Sequence, residues 1–268
     1  MNKLGVFLCG MAISFCLNAQ VTLGPTVSTF AVLAGSTVTN SGNSVVTGNL
    51  GVSPGTAVTG FGPGVVIGTI HAADATALQA QTDLTAAYTT AAGLPCPGGN
   101  VLTGMNLGGL TLTPGVYCFA TSAQLTGTLT LNALGSSTAQ FIFQIGSTLT
   151  TASGSSVALI NGAVPANIFF EVGSSATLGT TTSFDGNIMA EASISLNTGA
   201  SLAGRALART GAVTLLDNAI TSPAGPGTLP VTPPSTPAPS SLILVATALA
   251  GVGIYQARER LGNLLKRN

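Results

Sequence analysis

A short pattern repeats along this chain and limits the folds that it can adopt. The segment 184–190 (FDGNIMA) returns as 202–208 (LAGRALA), with the two glycines 18 residues apart. Each copy has an apolar residue, a glycine two positions later, a second apolar residue and a small or apolar residue at its end. Similar segments occur at 46–52 and 125–131. A unit that recurs about every 18 to 20 residues indicates a solenoid, in which stacked copies bury a common core.

The composition favours a solenoid of β-strands over one of helices. Only 5% of the 268 residues are charged, against about 25% in an average domain. Hydrophobic residues make up 46% of the chain, which is enough for a core, so the low charge does not indicate disorder. The repeated units are rich in Thr, Ser, Ala and Gly and poor in long side chains, as expected for thin coils with a narrow core.

Apolar and hydroxyl residues alternate with a period of two in several segments, which is typical of β-strands with one buried side. The apolar side is formed by Val38, Leu149, Ile194 and Leu196, and the other side by Thr37, Thr39, Thr148, Thr150, Ser193 and Ser195.

One segment breaks the β pattern and predicts a helix. Residues 70–92 are Ala-rich, lack Gly and Pro, and carry apolar residues at helical spacing. Asp74 suits the first turn of such a helix, and Gly93 ends it. About 22 residues would span roughly 33 Å, enough to lie along several stacked coils. The apolar strands predicted at 141–145 and 168–172 are expected to face this helix.

The N-terminus has the pattern of a secretory signal peptide rather than of a buried first helix. An apolar run follows Lys3 and ends at a small residue, Ala19. This pattern predicts cleavage after Ala19 and removal of residues 1–19. Two of the four cysteines would leave with this peptide. The remaining pair, Cys96 and Cys118, is expected to form a disulfide in an oxidising compartment.

The C-terminus carries a second targeting pattern beyond the predicted solenoid domain at 20–221. A Pro-rich linker is predicted at 222–240, followed by an uncharged apolar segment at 241–257 and a basic tail at 258–268. This arrangement resembles the bacterial PEP-CTERM sorting signal, although 237–240 reads Pro-Ala-Pro-Ser with Ala where that family has Glu. Cleavage by a sorting protease and anchoring in a membrane both remain open, and either places the domain outside the cell or on its surface.

Few side chains are suited to catalysis, so we expect no enzyme, no cofactor and no metal site. The single histidine, His71, is expected to be a capping or interface side chain, and no nucleophile motif surrounds it. Asp185 and Glu191 are expected to be solvated or to pair with Arg205 and Arg209 on neighbouring coils. The mildly acidic domain lacks the basic surface that nucleic-acid binding requires.

The outer surface of the predicted solenoid would be a regular array of Thr, Ser, Ala and Gly. Because β-branched Thr has few rotamers, its methyl and hydroxyl groups are positioned in advance. Such a surface can order water into a lattice that merges with ice, and it lacks the strongly hydrated charges that would disrupt that lattice. Alternatively, these residues are simply compatible with the surface of a solenoid.

Five segments together resemble one known family, the bacterial and fungal ice-binding proteins with the DUF3494 domain. The resemblance covers about residues 23–220 and implies a right-handed β-helix of triangular section with one long α-helix packed alongside. It also implies that N-terminal coils stack on C-terminal ones, so that the stacking is discontinuous in sequence. The segments that carry it are 30–35 (FAVLAG), 48–55 (GNLGVSPG), 68–74 (GTIHAAD), 112–117 (LTPGVY) and 204–208 (GRALA).

Some members of this family use a Thr-Ala/Gly-x-Thr/Asn motif to contact ice, and four segments match it in part: 40–43, 151–154, 180–183 and 198–201. The resemblance therefore implies a first set of candidate ice-binding residues, namely Asn40, Asn43, Thr151, Ser153, Thr180, Thr182, Thr198, Ala200 and Ser201. A second set on another face consists of Thr37, Thr39, Thr148, Thr150, Thr177 and Ser195.

Two functions remain open on the sequence. The first is a secreted or surface-attached ice-binding protein that adsorbs to ice and restrains its growth or recrystallisation, with sorting or membrane machinery as a second partner through the tail. The second is a non-catalytic structural or adhesion module of the cell surface or extracellular matrix. A candidate face without charged or bulky residues would favour the first, and a cluster of charges or aromatics there would favour the second.

Overall fold

The computed structural model describes residues 20–223, which belong to one compact unit ending at Pro226. The predicted signal peptide, most of the linker, the apolar segment and the basic tail lie outside the described residues. No helix within the described range is long and apolar enough to cross a membrane. The range contains one α-helix, α1 (Ala75–Ala92), and three 3-10 helices at Val27–Thr29, Gly98–Asn100 and Pro165–Asn167.

The remaining regular structure is β-strand. The strands are β1 (Phe30–Ala34), β2 (Thr37–Ser41), β3 (Val45–Thr47), β4 (Asn49–Val52), β5 (Ala57–Thr59), β6 (Val65–Ile67), β7 (Ile70–Ala72), β8 (Thr111–Leu112), β9 (Gly115–Phe119), β10 (Ala123–Leu125), β11 (Thr128–Asn132), β12 (Phe141–Ile145), β13 (Leu149–Thr151), β14 (Ser156–Ile160), β15 (Ile168–Val172), β16 (Ala176–Leu178), β17 (Ser183–Ala190), β18 (Ile194–Leu196), β19 (Ser201–Ala208), β20 (Val213–Leu216) and β21 (Ala219–Thr221).

All the strand pairs are parallel, and the strands form two sheets. The seven-stranded sheet has the order β10-β13-β16-β18-β20-β2-β5. The fourteen-stranded sheet has two arms. One arm has the order β7-β4-β1-β19-β17-β15-β12-β9 and faces α1. The other has the order β6-β3-β21-β19-β17-β14-β11-β8. The long strands β17 and β19 take part in both arms, so these two coils pass from one arm to the other without a break.

The stacking is discontinuous in sequence, as the family resemblance implies. Strand β1 lies between β19 and β4, β20 pairs with β2, and β21 pairs with β3. The N-terminal coils therefore stack on the last C-terminal coil. Helix α1 then carries the chain back along the stack, from β7 at one end to the β9 region at the other.

The repeated glycine marks the bend at which a coil changes arms. Gly186 and Gly204 are partners in the β17–β19 register, and a Cβ atom on Gly204 would lie 1.8 Å from the Gly186 carbonyl oxygen. Gly186 has a φ of +129° and Gly48, in the equivalent bend, a φ of +124°, a conformation that favours glycine. Gly127 lies at a different corner, between β10 and β11, so the pattern at 125–131 is not an equivalent copy.

Alternation places the apolar side chains inside the coils. Val38, Leu149, Ile194 and Leu196 are fully buried, as the sequence predicts. At one end of the interior, aromatic rings stack on successive coils, with the Phe143 and Phe170 centroids 4.4 Å apart. Tyr117 and Phe184 extend this stack on either side.

Helix α1 begins at Ala75, five residues later than the sequence predicts. Asp74 is its N-cap, and its carboxylate accepts a 2.8 Å hydrogen bond from the Ala77 N–H. Residues Ile70–Ala72 instead form β7, because pairing with β4 satisfies their backbone groups and completes the last coil. Helical spacing alone did not reveal this competing strand.

The helix packs on the arm that the sequence predicts. Ala80 and Leu84 of α1 lie in one buried cluster with Ile142 of β12 and Phe169 of β15. The flanking residues of these two strands point into the coil interior. After the helix, a disulfide joins Cys96 to Cys118 of β9 and attaches the following loop to the sheet.

Candidate functional site

The outer side of the seven-stranded sheet, called here the hydroxyl face, presents a regular row of polar side chains. One residue from each strand lies in register with its neighbours, and all but one of them carry a hydroxyl group. These seven described strands contain no charged residue. The middle row is Gln124, Thr150, Thr177, Ser195, Thr214, Thr39 and Thr59.

The hydroxyl groups of this middle row are available to water. None of them has a hydrogen-bond partner within residues 20–223, and Thr39, Thr59 and Thr150 are exposed. Adjacent parallel strands lie about 4.8 Å apart, so the row repeats at that interval along the stack. The face therefore offers unsatisfied donors and acceptors at regular spacing.

A second row on the same face differs because several of its side chains bond to one another or to the backbone. The Thr148 hydroxyl donates to the Ser122 oxygen at 2.8 Å. The Ser175 and Ser193 hydroxyl oxygens accept from the N–H groups of Ser193 and Ala212, at 3.2 and 3.1 Å. This edge of the face is thus fixed by the protein itself, whereas the middle row is free.

All six residues of the second candidate set lie on the hydroxyl face. Thr39, Thr150, Thr177 and Ser195 belong to the middle row, and Thr37 and Thr148 to the neighbouring one. Sequence reasoning missed Thr59 and Thr214, which complete the middle row. The same period-two alternation marks both of them, since Thr59 follows Val58 and Thr214 lies between Val213 and Leu215.

The first candidate set is divided by the structure. Asn40, Thr151, Thr182 and Ala200 are at most 5% exposed and cannot contact an external surface, so their assignment as contact residues is wrong. They lie where the chain turns from the seven-stranded sheet to the neighbouring arm, and at this corner their side chains point inward. The other five, Asn43, Ser153, Thr180, Thr198 and Ser201, remain at the surface along the corner.

One carboxylate, Asp217, lies beside the hydroxyl face: it is exposed at the corner directly after β20 and accepts a hydrogen bond from the Asn43 N–H at 2.6 Å. Other ionisable side chains lie on or near the two arms and α1. Arg209 forms the expected ion pair with Glu191, and its guanidinium lies 4.6 Å from the centre of the Tyr88 ring of α1. Burial raises the pKa of Asp185, which lies on the outer arm. His71 contacts the Asp74 carboxylate at 2.7 Å and so supports the helix cap. The Ala77 N–H and then His71 lower the pKa of Asp74.

Arg205 does not pair with a carboxylate, which was one of the two arrangements that the sequence left open. It is 1% exposed and donates to the Ser28 and Pro223 carbonyl oxygens, at 2.7 and 2.9 Å, and to Asn187 Oδ1 at 2.9 Å. Burial lowers its pKa to about 10. The guanidinium joins the N-terminal segment, strand β17 and the C-terminal end of the domain, which is a structural role.

The described residues contain no group of three or more His, Cys, Asp or Glu side chains able to hold a metal. Two grooves, of about 370 and 630 Å³, lie beside the N-terminal segment. Arg205 is the only charged residue that lines either of them, so neither presents a pair of carboxylates. The surface with the most regular chemistry is the hydroxyl face.

Comparison with known proteins identifies the family. The family model described as "Ice-binding-like" matches residues 32–221. An ice-binding protein of Nostoc sp. (strain HG1) is 52% identical over 205 residues, which cover 76% of this chain and 75% of that protein. The crystal structure of an ice-binding protein from an Antarctic biological consortium is 50% identical, with a TM-score of 0.73, and covers 75% of this chain and 90% of that one. The ice-binding protein of the Antarctic ascomycete Antarctomyces psychrotrophicus is 39% identical, with a TM-score of 0.74 and coverage of 77% and 100%. The chain therefore belongs to the Ice-binding-like family.

Proposed function

We propose that this protein binds ice through the hydroxyl face and restrains the growth or recrystallisation of ice crystals. The observation that carries the proposal is the in-register middle row, whose hydroxyls have no partner within the described residues and whose strands carry no charge. Membership of the family and the names of its relatives support the same function.

The geometry of the middle row explains how such a surface can hold water. Each Thr presents one methyl and one hydroxyl group in a restricted rotamer, so little side-chain entropy is lost on contact. Because the strands are parallel and in register, waters bound at successive hydroxyls repeat at the strand spacing. Each contact is weak, and the adsorption depends on many of them acting together.

The alternative function, a non-catalytic cell-surface or matrix adhesion module, is not favoured. That function would be expected to use charged or aromatic side chains on the exposed sheet. The seven described strands of this sheet carry neither kind of residue. Fold alone does not fix function, so the distinction depends on this surface.

We further propose that the protein is secreted through residues 1–19 and that the tail directs it to the cell surface. We also propose that the coils are right-handed and form a triangular section, as the family resemblance implies. Parallel pairing throughout both sheets supports this course.

The test uses residues 20–226, which span the described compact unit. Crystals held just below freezing are followed by microscopy with this protein and with Thr177→Tyr, which places a bulky ring next to the central residue of the middle row, Ser195. We expect the parent to facet crystals and arrest their coarsening. Thr177→Tyr should lose roughly tenfold or more in potency at unchanged melting temperature, because a ring there prevents close contact.

Thr85→Tyr is the matched control, because Thr85 is exposed on α1 and away from the hydroxyl face. It should retain full activity. Thr198→Tyr, at the corner, should have a smaller effect than Thr177→Tyr. Crystals that coarsen as in buffer with the parent protein would overturn the function, and equal activity of Thr177→Tyr and its parent would overturn the choice of face.

A further inference from the structure

A column of buried polar residues runs along one edge of the hydroxyl face. At this corner, the residue before five of the eight strands of the outer arm, β14, β17, β19, β21 and β3, points inward and is at most 2% exposed. Four of these five side chains are polar, although buried polar groups are unfavourable unless they are hydrogen-bonded. We call this column the corner seam; it consists of Ser155, Thr182, Ala200, Asn218 and Ser44.

Thr182 connects two successive coils within the seam. Its hydroxyl lies 2.8 Å from the Thr151 hydroxyl and donates to the Ala152 carbonyl oxygen at 3.2 Å. Thr151 Oγ1 in turn accepts from the Gly179 N–H at 2.8 Å. The two hydroxyls therefore satisfy each other and the backbone of both coils.

Ser155 makes the equivalent connection one coil further along. Its hydroxyl donates to the Leu125 carbonyl oxygen at 2.9 Å and accepts from the Gly127 N–H at 3.3 Å. This bond joins the β13 coil to the β10 coil. The seam thus reaches the last strand at that end of the seven-stranded sheet.

Asn218 extends the seam in the other direction. Its Nδ2 donates to the Asn197 and Ala200 carbonyl oxygens at 2.9 and 3.0 Å. Its backbone N–H donates to the Ser44 hydroxyl at 3.0 Å. Asn218 therefore connects β18, β20 and β2, across the point where N-terminal coils meet C-terminal ones.

A polar side chain is not needed to fill the space at this position, because Ala200 occupies it in one coil. An apolar side chain would bury equally well but would not fix the height of one coil relative to the next. Hydrogen bonds are directional, and a satisfied buried network specifies one arrangement. The seam thus sets the register between coils rather than supplying bulk.

We propose that the corner seam positions the hydroxyl face for ice, and this inference rests on the proposed function. Thr151 directly follows Thr150 of the middle row, so the inward bonds of Thr151 fix the backbone that carries the free hydroxyl. On the opposite edge, the Thr148–Ser122 bond has the same effect. The middle row is thereby held between two bonded edges, and its own hydroxyls remain free.

The test compares Thr182→Val, which removes the hydroxyl at nearly constant shape, with Thr182→Ser, which retains it. We expect Thr182→Val to raise the concentration that halves recrystallisation by roughly tenfold, because supporting residues must hold a binding site within about 0.5 Å. Thr182→Ser should restore most of the activity. Thr85→Val, on α1, is the matched control and should behave as the parent.

The assay is run near 0 °C, and circular dichroism at that temperature shows whether each variant is folded. A purely structural role would lower the melting temperature and leave the activity of the folded variant unchanged, and that result would overturn the inference. If Thr182→Val yields no folded protein, Ser155→Ala replaces it, since it removes a seam hydroxyl without adding atoms.

The same experiment separates this inference from the function on which it rests. An inactive parent protein would overturn the ice-binding function itself. An active parent with an equally active Thr182→Val would overturn only the positioning role. A changed crystal shape with Thr182→Val, at unchanged shape with Thr85→Val, would support the role, because altered coil spacing changes which ice plane fits.

Discussion

At the scale of single residues, Glu171 lies buried beneath α1 and its ionisation affects folding. Burial is the main cause that raises the pKa of Glu171; the nearby Tyr88 hydroxyl opposes this shift, and the nearby Glu191 carboxylate adds to it. The folded protein therefore retains the Glu171 proton to a higher pH than the unfolded chain. Its contribution to stability is fully present below the unfolded pKa of about 4.3 and is lost as pH rises through the folded pKa.

Glu171→Gln is expected to remove this pH dependence. As pH rises above the unfolded pKa of about 4.3, the melting temperature of the parent should fall by more than that of Glu171→Gln. Above the raised folded pKa, the variant should be the more stable of the two. Thermal unfolding followed by circular dichroism at several pH values measures both. Parallel curves for the two proteins would contradict the assignment.

The sequence predicts residue positions well where alternation applies and poorly at the corners. Alternation correctly separates buried Val38 and Leu149 from the hydroxyls beside them, because one face of each strand is covered. At the corners the backbone turns, and a motif of small polar residues does not show which side points inward. The motif therefore predicts contact roles for Thr182 and Asn40, and both are buried.

At the scale of elements, the end of α1 is held by a strand. The Gln144 side chain of β12 donates from Nε2 to the Ala91 and Leu94 carbonyl oxygens, each at 2.8 Å. Ala91 lies in the last turn of the helix and Leu94 two residues beyond its end, where helix carbonyls lack regular intrahelical donors. The Ala91 carbonyl also accepts a long 3.4 Å bond from the Leu94 N–H. Gln144 thereby supplies the cap that the sequence of the helix lacks.

Gln144→Met should lower the free energy of unfolding by about 2 kcal/mol, because the Leu94 carbonyl loses its Gln144 donor and the Ala91 carbonyl keeps only a long bond from the Leu94 N–H. Hydrogen exchange should also become faster in the last turn of α1. Gln79→Met, an exposed change on the same helix, is the control and should alter stability by less than about 0.5 kcal/mol. Equal effects of the two changes would show that the contact contributes little.

The existence and end of the helix follow from its composition, because Ala-rich residues without Gly or Pro favour helix and Gly93 stops it. Its start does not, because residues 70–72 suit both a helix and a strand. Only the presence of β4 beside them, a partner more than 15 residues away in sequence, decides in favour of β7. Local sequence patterns cannot predict such tertiary effects.

At the scale of the whole molecule, the discontinuous stack makes the two ends of the domain interdependent. Strand β2 pairs with β20, and strand β3 pairs with β21; β20 and β21 are the last strands of the domain. The 18-residue repeat predicts the coils, and the interruption by the helix is consistent with discontinuity. The order of stacking itself came from the family resemblance, because no local pattern states which coils are neighbours.

A chain that ends at Thr210 lacks β20 and β21 and should not form the complete domain. We expect residues 37–72 to lose protection from hydrogen exchange and unfolding to lose its cooperativity, because the contacts that are removed are long-range. The chain that ends at Pro226 is the control. Full protection of β2 and β3 in the shorter chain would contradict the observed pairing.

The path of α1 has a consequence for the variation that this fold can tolerate. The arm beneath the helix has eight strands, from β7 to β9, and spans about 34 Å at the usual strand spacing. The 18 residues of α1 cover about 27 Å of this length, and the segments on either side of the helix cover the rest. Inserting one coil into this arm would separate its ends by a further 4.8 Å or so, the rise of about three helical residues. Growth of the seven-stranded sheet by one coil is therefore coupled to the length of a helix that packs on a different sheet arm.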